Sequence, residues 1–328
     1  MNIKRTAAIG VLVLLLVGML GNAAVAQKKL KIAFIPQLIG IPYFNAMEQG
    51  GKDAAKQFGV EFSYVGATTA SAPEQVRIMD SLIRQEYDGI CVSVLDAVSI
   101  NPVIRKAKDA GIAVYTSDSD SPDSDRAVYV AQALDDELGY TLIDVLVEQI
   151  GGEGKIGVVS GVPTATNLNT WVNYMKERVV KYPKVSIVDV RYASSSEEAF
   201  RQAQQLMTRY PDIKGLVAVA SVTVPGVARA VESANKIGKV KVIGYGSPNT
   251  VRSFMKKGIM EASILWNPRD LGYLTVWAGM KLAQGEQFKD INRVPGLESD
   301  IRYLPDKGIL LLGPPLIITK DNVDDFDF

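Results

Sequence analysis

Short runs rich in β-branched residues alternate with longer amphipathic segments along most of the 328-residue chain. The first half contains KIAFI (31–35), VEFSYV (60–65), GICVSV (89–94) and IAVYTS (112–117). Between these runs apolar residues recur at helical spacing, as at Val76, Met79 and Ile83. Strands that alternate with helices of about 10–15 residues predict βαβ units and parallel sheets covered by helices on both faces.

This alternation occurs twice, with a break at SDSDSPDSDR near residues 117–127, where the chain is acidic and poor in apolar residues. The length also favours two domains, since a domain averages roughly 150 residues. We therefore predict an α/β fold of two doubly wound parallel-sheet lobes, with a ligand cleft between the carboxyl ends of their strands. The predicted first lobe comprises residues 27–120 and 268–295, and the second comprises residues 121–267 and 296–328.

Residues 1–26 have the three parts of a secretory signal peptide. Lys4 and Arg5 precede an apolar run over residues 7–20, and the sequence AVA at 24–26 is a small-x-small cleavage site. The apolar run has about 14 residues, fewer than the roughly 20 that a membrane-spanning helix needs. Because no cysteine lies near the cleavage site, we expect a periplasmic protein released without a lipid anchor.

The composition excludes many common catalytic mechanisms, because the chain has no histidine and a single cysteine. Ser-His-Asp and Cys-His nucleophiles and His-ligated metals are excluded, as are internal disulfides and cysteine-cluster zinc sites. Thirty-six basic residues balance 36 acidic ones, which argues against a broad basic surface for nucleic acid. We expect no enzyme activity, no catalytic residues and no nucleic-acid partner.

Two motifs match cofactor or metal patterns only in part. GEGKIG (152–157) fits G-x-G-x-x-G, but a dinucleotide-binding loop follows a strand and begins a helix, whereas these glycines end a predicted helix. Asp118, Asp120, Asp123 and Asp125 lack the central glycine and final glutamate of a calcium-binding EF-hand loop. We predict a turn at the first motif, a solvated inter-lobe turn at the second, and neither cofactor nor metal.

Polar and aromatic residues follow the first predicted strand. Gln37 comes directly after it and offers both a donor and an acceptor, while Tyr43 and Phe44 begin the first helix. An aromatic ring at this position either stacks on the apolar face of a sugar ring or packs against its own lobe. The sequence leaves both interpretations open.

Five segments, in this order and spacing, resemble the type 1 periplasmic sugar-binding proteins: IPQLIGIPYFNAMEQGGKDAAKQFGV, YDGICVSVLDA, AGIAVYTSDSD, VIGYGSPN and ILWNPRDLGYL. Within them the chain is most similar to the branch of autoinducer-2-binding and rhamnose-binding proteins. The resemblance implies a monomeric receptor that closes on its ligand and delivers it to the permease subunits of an ABC transporter. A chemoreceptor or sensor kinase is the alternative partner.

The resemblance also implies which residues hold the ligand. The lysine of the autoinducer-2 receptors falls on Gln37, their first-lobe aspartate falls on Asp118, and their Asp-Gln pair falls on Asn167 and Leu168. A Pro-Asp-Ala stretch falls on residues 219–221, and a last aspartate becomes an asparagine. The predicted ligand-binding residues are Gln37, Phe44, Asp118, Asn167, Ser221 and Asn267.

Amides replace charged groups at three of these positions, so strong charge-assisted hydrogen bonds are lost. We therefore expect a neutral monosaccharide, with rhamnose or a related deoxy-sugar as the first candidate. An autoinducer-2-type furanose, bound for uptake or quorum signalling, is the alternative.

Overall fold

The computed structural model describes residues 28–328, so the predicted signal peptide lies outside the described residues. The strands are β1 (Lys31–Ile35), β2 (Glu61–Tyr64), β3 (Gly89–Val92), β4 (Ala113–Ser117), β5 (Tyr129–Ala131), β6 (Gly154–Ser160), β7 (Val185–Tyr192), β8 (Ile213–Ala218), β9 (Lys241–Gly244), β10 (Ala262–Leu265), β11 (Ile291–Asn292), β12 (Ile301–Leu304), β13 (Ile309–Leu311) and β14 (Leu316–Thr319). The helices are α1 (Pro42–Phe58), α2 (Ala72–Arg84), α3 (Ala97–Asp109), α4 (Asp135–Gln149), α5 (Thr166–Val179), α6 (Ser196–Arg209), α7 (Val224–Ser233), α8 (Pro248–Lys256) and α9 (Pro268–Ala283).

The first lobe is built on an eight-stranded sheet in the order β11-β12-β13-β5-β4-β3-β1-β2. Strands β1 to β5 and β13 run parallel, and β12 and β11 add an antiparallel edge. Alternate residues of β1 face opposite layers, since Phe34 packs in the core that contains α1 and α9 whereas Ala33 and Ile35 pack with α2 and α3. β2 lies on one side of β1 and β3 on the other, so the direction in which successive strands are added reverses at β1 and creates a topological switch point at the carboxyl end of the sheet.

The second lobe repeats this plan with the parallel order β7-β6-β8-β9 and a separate antiparallel pair, β10 and β14. Its switch point lies between β6 and β8. The turn predicted at the glycine motif is confirmed, because α4 ends at Gln149 and β6 begins at Gly154. The predicted α/β fold with two parallel sheets is likewise confirmed.

The sheet pairing places the lobe boundaries differently from the sequence expectation. Residues 129–131, 301–304 and 309–311 were expected in the second lobe, yet β5, β12 and β13 belong to the first sheet. The chain therefore passes between the sheets near residues 131–135, 265–268 and 311–316. A break in hydrophobic pattern marks a loop, but only strand pairing decides which sheet the following strand joins.

The acidic segment between β4 and β5 lies within the first lobe, so its interpretation as a solvated inter-lobe turn is wrong. Asp120 forms an ion pair with Arg126, and Asp125 contacts Arg105 and Lys108. Basic residues of the same segment and of α3 therefore neutralise two carboxylates that appear unpaired in the linear sequence.

Helix α9 returns to the first lobe and packs against α1 with almost no space between their backbones. A β-carbon on Gly50 would stand 1.8 Å from the Arg269 carbonyl oxygen, and one on Gly272 would stand 1.9 Å from that of Met47. Glycine is required at both positions because any side chain would force the helices apart. No helix within residues 28–328 has the length and apolar character needed to cross a membrane.

Candidate functional site

The carboxyl ends of both parallel sheets face a common cavity between the lobes. The space between the lining atoms measures about 480 Å³ in total, part of which is open to solvent. Its walls are formed by Gln37, Leu38, Ile41, Tyr43, Phe44, Asp118, Asn167, Leu168, Trp171, Val219, Ala220, Ser221, Val222, Tyr245, Leu265 and Trp266. Most of these residues follow directly after a strand or begin a helix, as the two switch points require.

Among the residues that line the cavity, Asp118 is the one with a charged side chain, and it is almost completely buried. Its carboxylate accepts a hydrogen bond from the Tyr43 hydroxyl at 2.5 Å and another from the Ser93 hydroxyl at 2.6 Å. The Trp266 indole N–H donates to the Tyr43 hydroxyl at 3.0 Å and so extends the network into the second lobe. A carboxylate has about four acceptor positions, so Asp118 retains capacity for a ligand hydroxyl.

The backbone of Asp118 is also held firmly. Its carbonyl accepts from the Tyr129 hydroxyl and the Gln132 amide, both at 3.1 Å, and its N–H donates to Val130. Its φ of 68° lies in the left-handed region, where a non-glycine residue stores strain that is characteristic of functional positions. Burial raises the pKa of the Asp118 carboxyl to about 6, although the hydrogen bonds from Ser93 and Tyr43 oppose this rise.

Five aromatic rings form one wall, which we call the aromatic cluster: Tyr43, Phe44, Trp171, Tyr245 and Trp266. They pack edge to face, with ring centroids 5.0 Å apart for Tyr43 and Phe44, 5.8 Å for Tyr43 and Trp266, and 4.9 Å for Trp171 and Tyr245. The Trp171 indole N–H donates to Asp135 at 2.7 Å, and burial raises the pKa of that carboxyl to about 6. The cluster spans both lobes because Tyr43 and Phe44 lie on α1 and Trp171 lies on α5.

Two amides meet across the cleft. The side-chain nitrogen of Gln37 donates to the Val94 carbonyl at 3.2 Å and to the Asn167 side-chain oxygen at 3.4 Å. That oxygen also accepts from the Leu168 N–H at 2.9 Å, which orients the Asn167 amide at the start of α5. Gln37 follows β1 of the first lobe, so this contact joins the two lobes at the cavity.

The structure brings five of the six predicted residues to the cavity: Gln37, Phe44, Asp118, Asn167 and Ser221. Phe44 packs against Phe34 and Tyr43 and is only 3 % exposed, so the interpretation that its ring packs against its own lobe is confirmed, whereas stacking on a sugar stays a prediction. Ser221 follows β8 on the opposite wall.

Asn267, the sixth predicted residue, does not line this cavity. Its side chain caps α9, accepting from the N–H groups of Arg269 and Asp270 and donating to the Asp270 carboxylate at 2.8 Å. A helix-start signal was present in the sequence, since an asparagine before proline and an acidic first turn are typical of an N-terminus.

Several lining residues were missed as ligand-contacting candidates. Tyr245 and Trp266 each stand directly after a strand, the same signal that identified Gln37 and Asp118. Trp171 lies in the second turn of α5, and no local pattern distinguishes it from an ordinary core aromatic residue.

The site combines one carboxylate and two amides with aromatic and aliphatic walls, and the lining residues include no basic side chain. Such a surface suits a small uncharged molecule that carries hydroxyl groups and apolar faces. Within residues 28–328, no group of three or more Cys, Asp or Glu side chains is arranged to hold a metal ion.

Comparison with known proteins identifies relatives of this architecture. The chain is 26 % identical to the D-ribose/D-allose-binding protein of Pseudomonas aeruginosa over 72 % of its own length and 76 % of the relative's. LsrB from Clostridium saccharobutylicum in complex with AI-2 matches at a TM-score of 0.85 with 26 % identity, covering 91 % of this chain and 100 % of LsrB. A solute-binding protein from Clostridium phytofermentas with bound L-rhamnose also matches at 0.85 and 26 %, over 90 % and 98 % of the two chains.

A sequence profile of the periplasmic binding protein domain matches residues 32–287, which include β2 to β10, all but the first residue of β1, and the carboxyl ends of the strands around the cavity. With this match over most of its length, the chain belongs to the periplasmic binding protein family.

Proposed function

We propose that this protein is the solute-binding component of an ABC importer and binds a neutral monosaccharide between its lobes. The cavity carries the proposal, because it lies at the switch points of two sheets and contains a single charged side chain, Asp118. A site with one carboxylate and no cation disfavours phosphorylated or carboxylated ligands by repulsion. The names of the relatives, which include ribose-, allose- and rhamnose-binding proteins, support a sugar.

A deoxy-sugar such as rhamnose fits the distribution of polar groups around the cavity. Gln37, Asp118 and Asn167 offer hydrogen bonds, whereas Leu168 and Val219 present aliphatic surface that suits a ligand methyl group. The rhamnose-bound relative from Clostridium phytofermentas supports this candidate.

An autoinducer-2-type furanose is the alternative ligand, favoured by the equal TM-score of LsrB. The charged positions expected from the resemblance are reduced here to Asp118, since Gln37 and Asn167 carry amides. An unmatched buried polar group costs about 1–3 kcal/mol, so these replacements change which ligand is accepted.

In this proposal the protein acts in the periplasm after cleavage of residues 1–26. It is a monomer, and it passes the sugar to the permease chemically unchanged. A sensory role, in which the closed form binds a chemoreceptor or sensor kinase, uses the same closed state. Loss of labelled sugar uptake on deletion of the gene supports import, whereas intact uptake with lost chemotaxis supports sensing.

Calorimetry of the purified chain identifies the ligand. We expect micromolar or tighter binding of one neutral monosaccharide from a panel of rhamnose, other hexoses, pentoses and autoinducer-2. Trp171 and Trp266 line the cavity, so binding also changes the tryptophan emission and provides a second readout. Submicromolar binding of autoinducer-2 alone overturns the preference for a neutral sugar.

We predict that sugar affinity falls about tenfold as the pH decreases from about 7 to about 5. Burial raises the pKa of Asp118 to about 6, so its carboxylate is present above that pH and is progressively protonated below it. A ligand hydroxyl that donates to the carboxylate binds only the ionised fraction, and the apparent affinity follows that fraction. Calorimetry across this pH range measures the effect.

The Asp135→Asn variant is the control, because burial also raises the pKa of Asp135 to about 6 although Asp135 does not line the cavity. We expect this variant to keep the pH dependence. If the pH dependence of sugar affinity disappears in this variant, Asp135 is the titrating group, and the prediction that Asp118 causes the pH dependence is wrong.

A further inference from the structure

Tyr245 combines deep burial with a position at the cavity wall. It follows β9 at the carboxyl edge of the second sheet and is only 2 % exposed. Its ring packs against those of Trp171 and Trp266, with centroids 4.9 and 6.3 Å away. These neighbours fix the ring plane, so the hydroxyl has little freedom to seek a partner elsewhere.

The Tyr245 hydroxyl has no hydrogen-bond partner among the described residues. Other polar groups of the aromatic cluster are paired, since Tyr43 donates to Asp118, the Trp171 indole donates to Asp135 and the Trp266 indole donates to Tyr43. An unpaired buried hydroxyl destabilises a protein, and a phenylalanine would fill the same space without that penalty. The hydroxyl is therefore a buried polar group that the described residues leave unpaired at the cavity wall.

We propose that the Tyr245 hydroxyl is a specificity-determining ligand contact, which hydrogen-bonds one hydroxyl of the sugar and rejects the analogue deoxygenated at that carbon. The assignment rests on the proposed sugar-binding function. It places a selective contact on the second lobe, opposite Gln37 and Asp118 of the first lobe.

The hydroxyl is suited to this contact because it remains protonated. Burial, together with the charge of Asp135, raises the pKa of Tyr245 well above 10. A neutral phenol both donates and accepts, so it pairs with a sugar hydroxyl in either direction. A site built to pair a ligand hydroxyl discriminates strongly against an analogue without it, since the protein group then stays unpaired.

The Tyr245→Phe variant tests the assignment, with calorimetry against the sugar that binds the wild-type chain and against its series of monodeoxy analogues. We expect the variant to bind the parent sugar at least about fivefold more weakly. We also expect one analogue, deoxygenated at the contacted carbon, to bind both proteins equally. The melting temperature of the unliganded variant should stay unchanged or rise.

Tyr64→Phe is the matched control. The Tyr64 hydroxyl is also buried without a partner, but Tyr64 lies on β2 and does not line the cavity. This variant should leave sugar affinity unchanged, which separates ligand contact from a general effect of removing a buried hydroxyl.

The assignment is overturned if the sugar affinity of Tyr245→Phe differs from that of the wild-type chain by less than twofold. It is also overturned if the affinity of Tyr64→Phe falls by as much as that of Tyr245→Phe. In both cases the proposed function stands. If the wild-type chain binds no sugar of the panel, the proposed function fails and the assignment fails with it.

Discussion

Replacing Asp118 with alanine lowers the affinity for the bound sugar by about 10- to 100-fold, because a hydrogen bond to a charged group contributes about 1.5–3 kcal/mol. Asp118 lines the cavity with almost no solvent exposure, so water cannot replace the lost acceptor. Calorimetry with the sugar identified for the wild-type chain measures the change. A loss of less than about threefold, roughly 0.7 kcal/mol, contradicts the assignment of Asp118 to the site.

The alanine variant also loses stability, by about 2 kcal/mol. The hydroxyls of Tyr43 and Ser93 lose their acceptor, and alanine adopts the left-handed φ of 68° less readily than aspartate. Binding is therefore measured well below the melting temperature of the variant. Chemical denaturation, monitored by tryptophan emission, measures the loss in free energy of unfolding.

Asp118→Asn separates charge from shape. Asparagine tolerates the left-handed conformation and keeps one acceptor oxygen, so we expect this variant to lose less stability than the alanine variant. We expect its sugar affinity to fall as well. Asp123→Ala is the matched control, because Asp123 belongs to the same acidic segment but is exposed and does not line the cavity. Its affinity should equal that of the wild-type chain.

The sequence predicted the parallel strands well because most of them are short runs rich in apolar residues, and several, such as β1 and β3, are almost completely buried. KIAFI became β1 with the same limits, and GICVSV contained β3. Strands β11 to β14 were not predicted, since the chain there has short, mixed segments whose pairing depends on distant partners. For the same reason the lobe boundaries were misplaced at β5, which pairs with β4 and β13 rather than with the second sheet.

The position of a residue after a strand was the most informative signal for the cavity. It placed Gln37 and Asp118 correctly at the carboxyl edge, because every parallel strand of a lobe ends at that edge. The resemblance placed Asn267 there too, but the local helix-capping geometry directs its side chain to α9. Trp171 could not be identified from sequence, since its contact with the cavity depends on how α5 packs between the lobes.

Arg126→Met should lower the free energy of unfolding by about 3 kcal/mol, because it leaves a mostly buried carboxylate, that of Asp120, without its cation. The guanidinium donates to both oxygens of Asp120, at 2.5 and 2.7 Å, and to the Gly308 carbonyl at 3.1 Å. The side chains are only 8 % and 17 % exposed, so solvent screens the pair weakly. Urea denaturation measures the loss, and sugar affinity should remain unchanged because neither residue lines the cavity.

The double variant Asp120→Asn, Arg126→Met distinguishes a lost ion pair from lost packing. Removing both charges eliminates the unpaired carboxylate, so the double variant should be more stable than Arg126→Met alone. The Thr116 hydroxyl, which donates to Asp120 at 2.6 Å, keeps an acceptor in the asparagine. If the stability loss of the double variant, measured from the wild-type chain, equals the sum of the losses of Asp120→Asn and Arg126→Met, the two residues act independently. The prediction that the ion pair between Asp120 and Arg126 stabilises the contact of β4, β5 and the turn before β13 is then wrong.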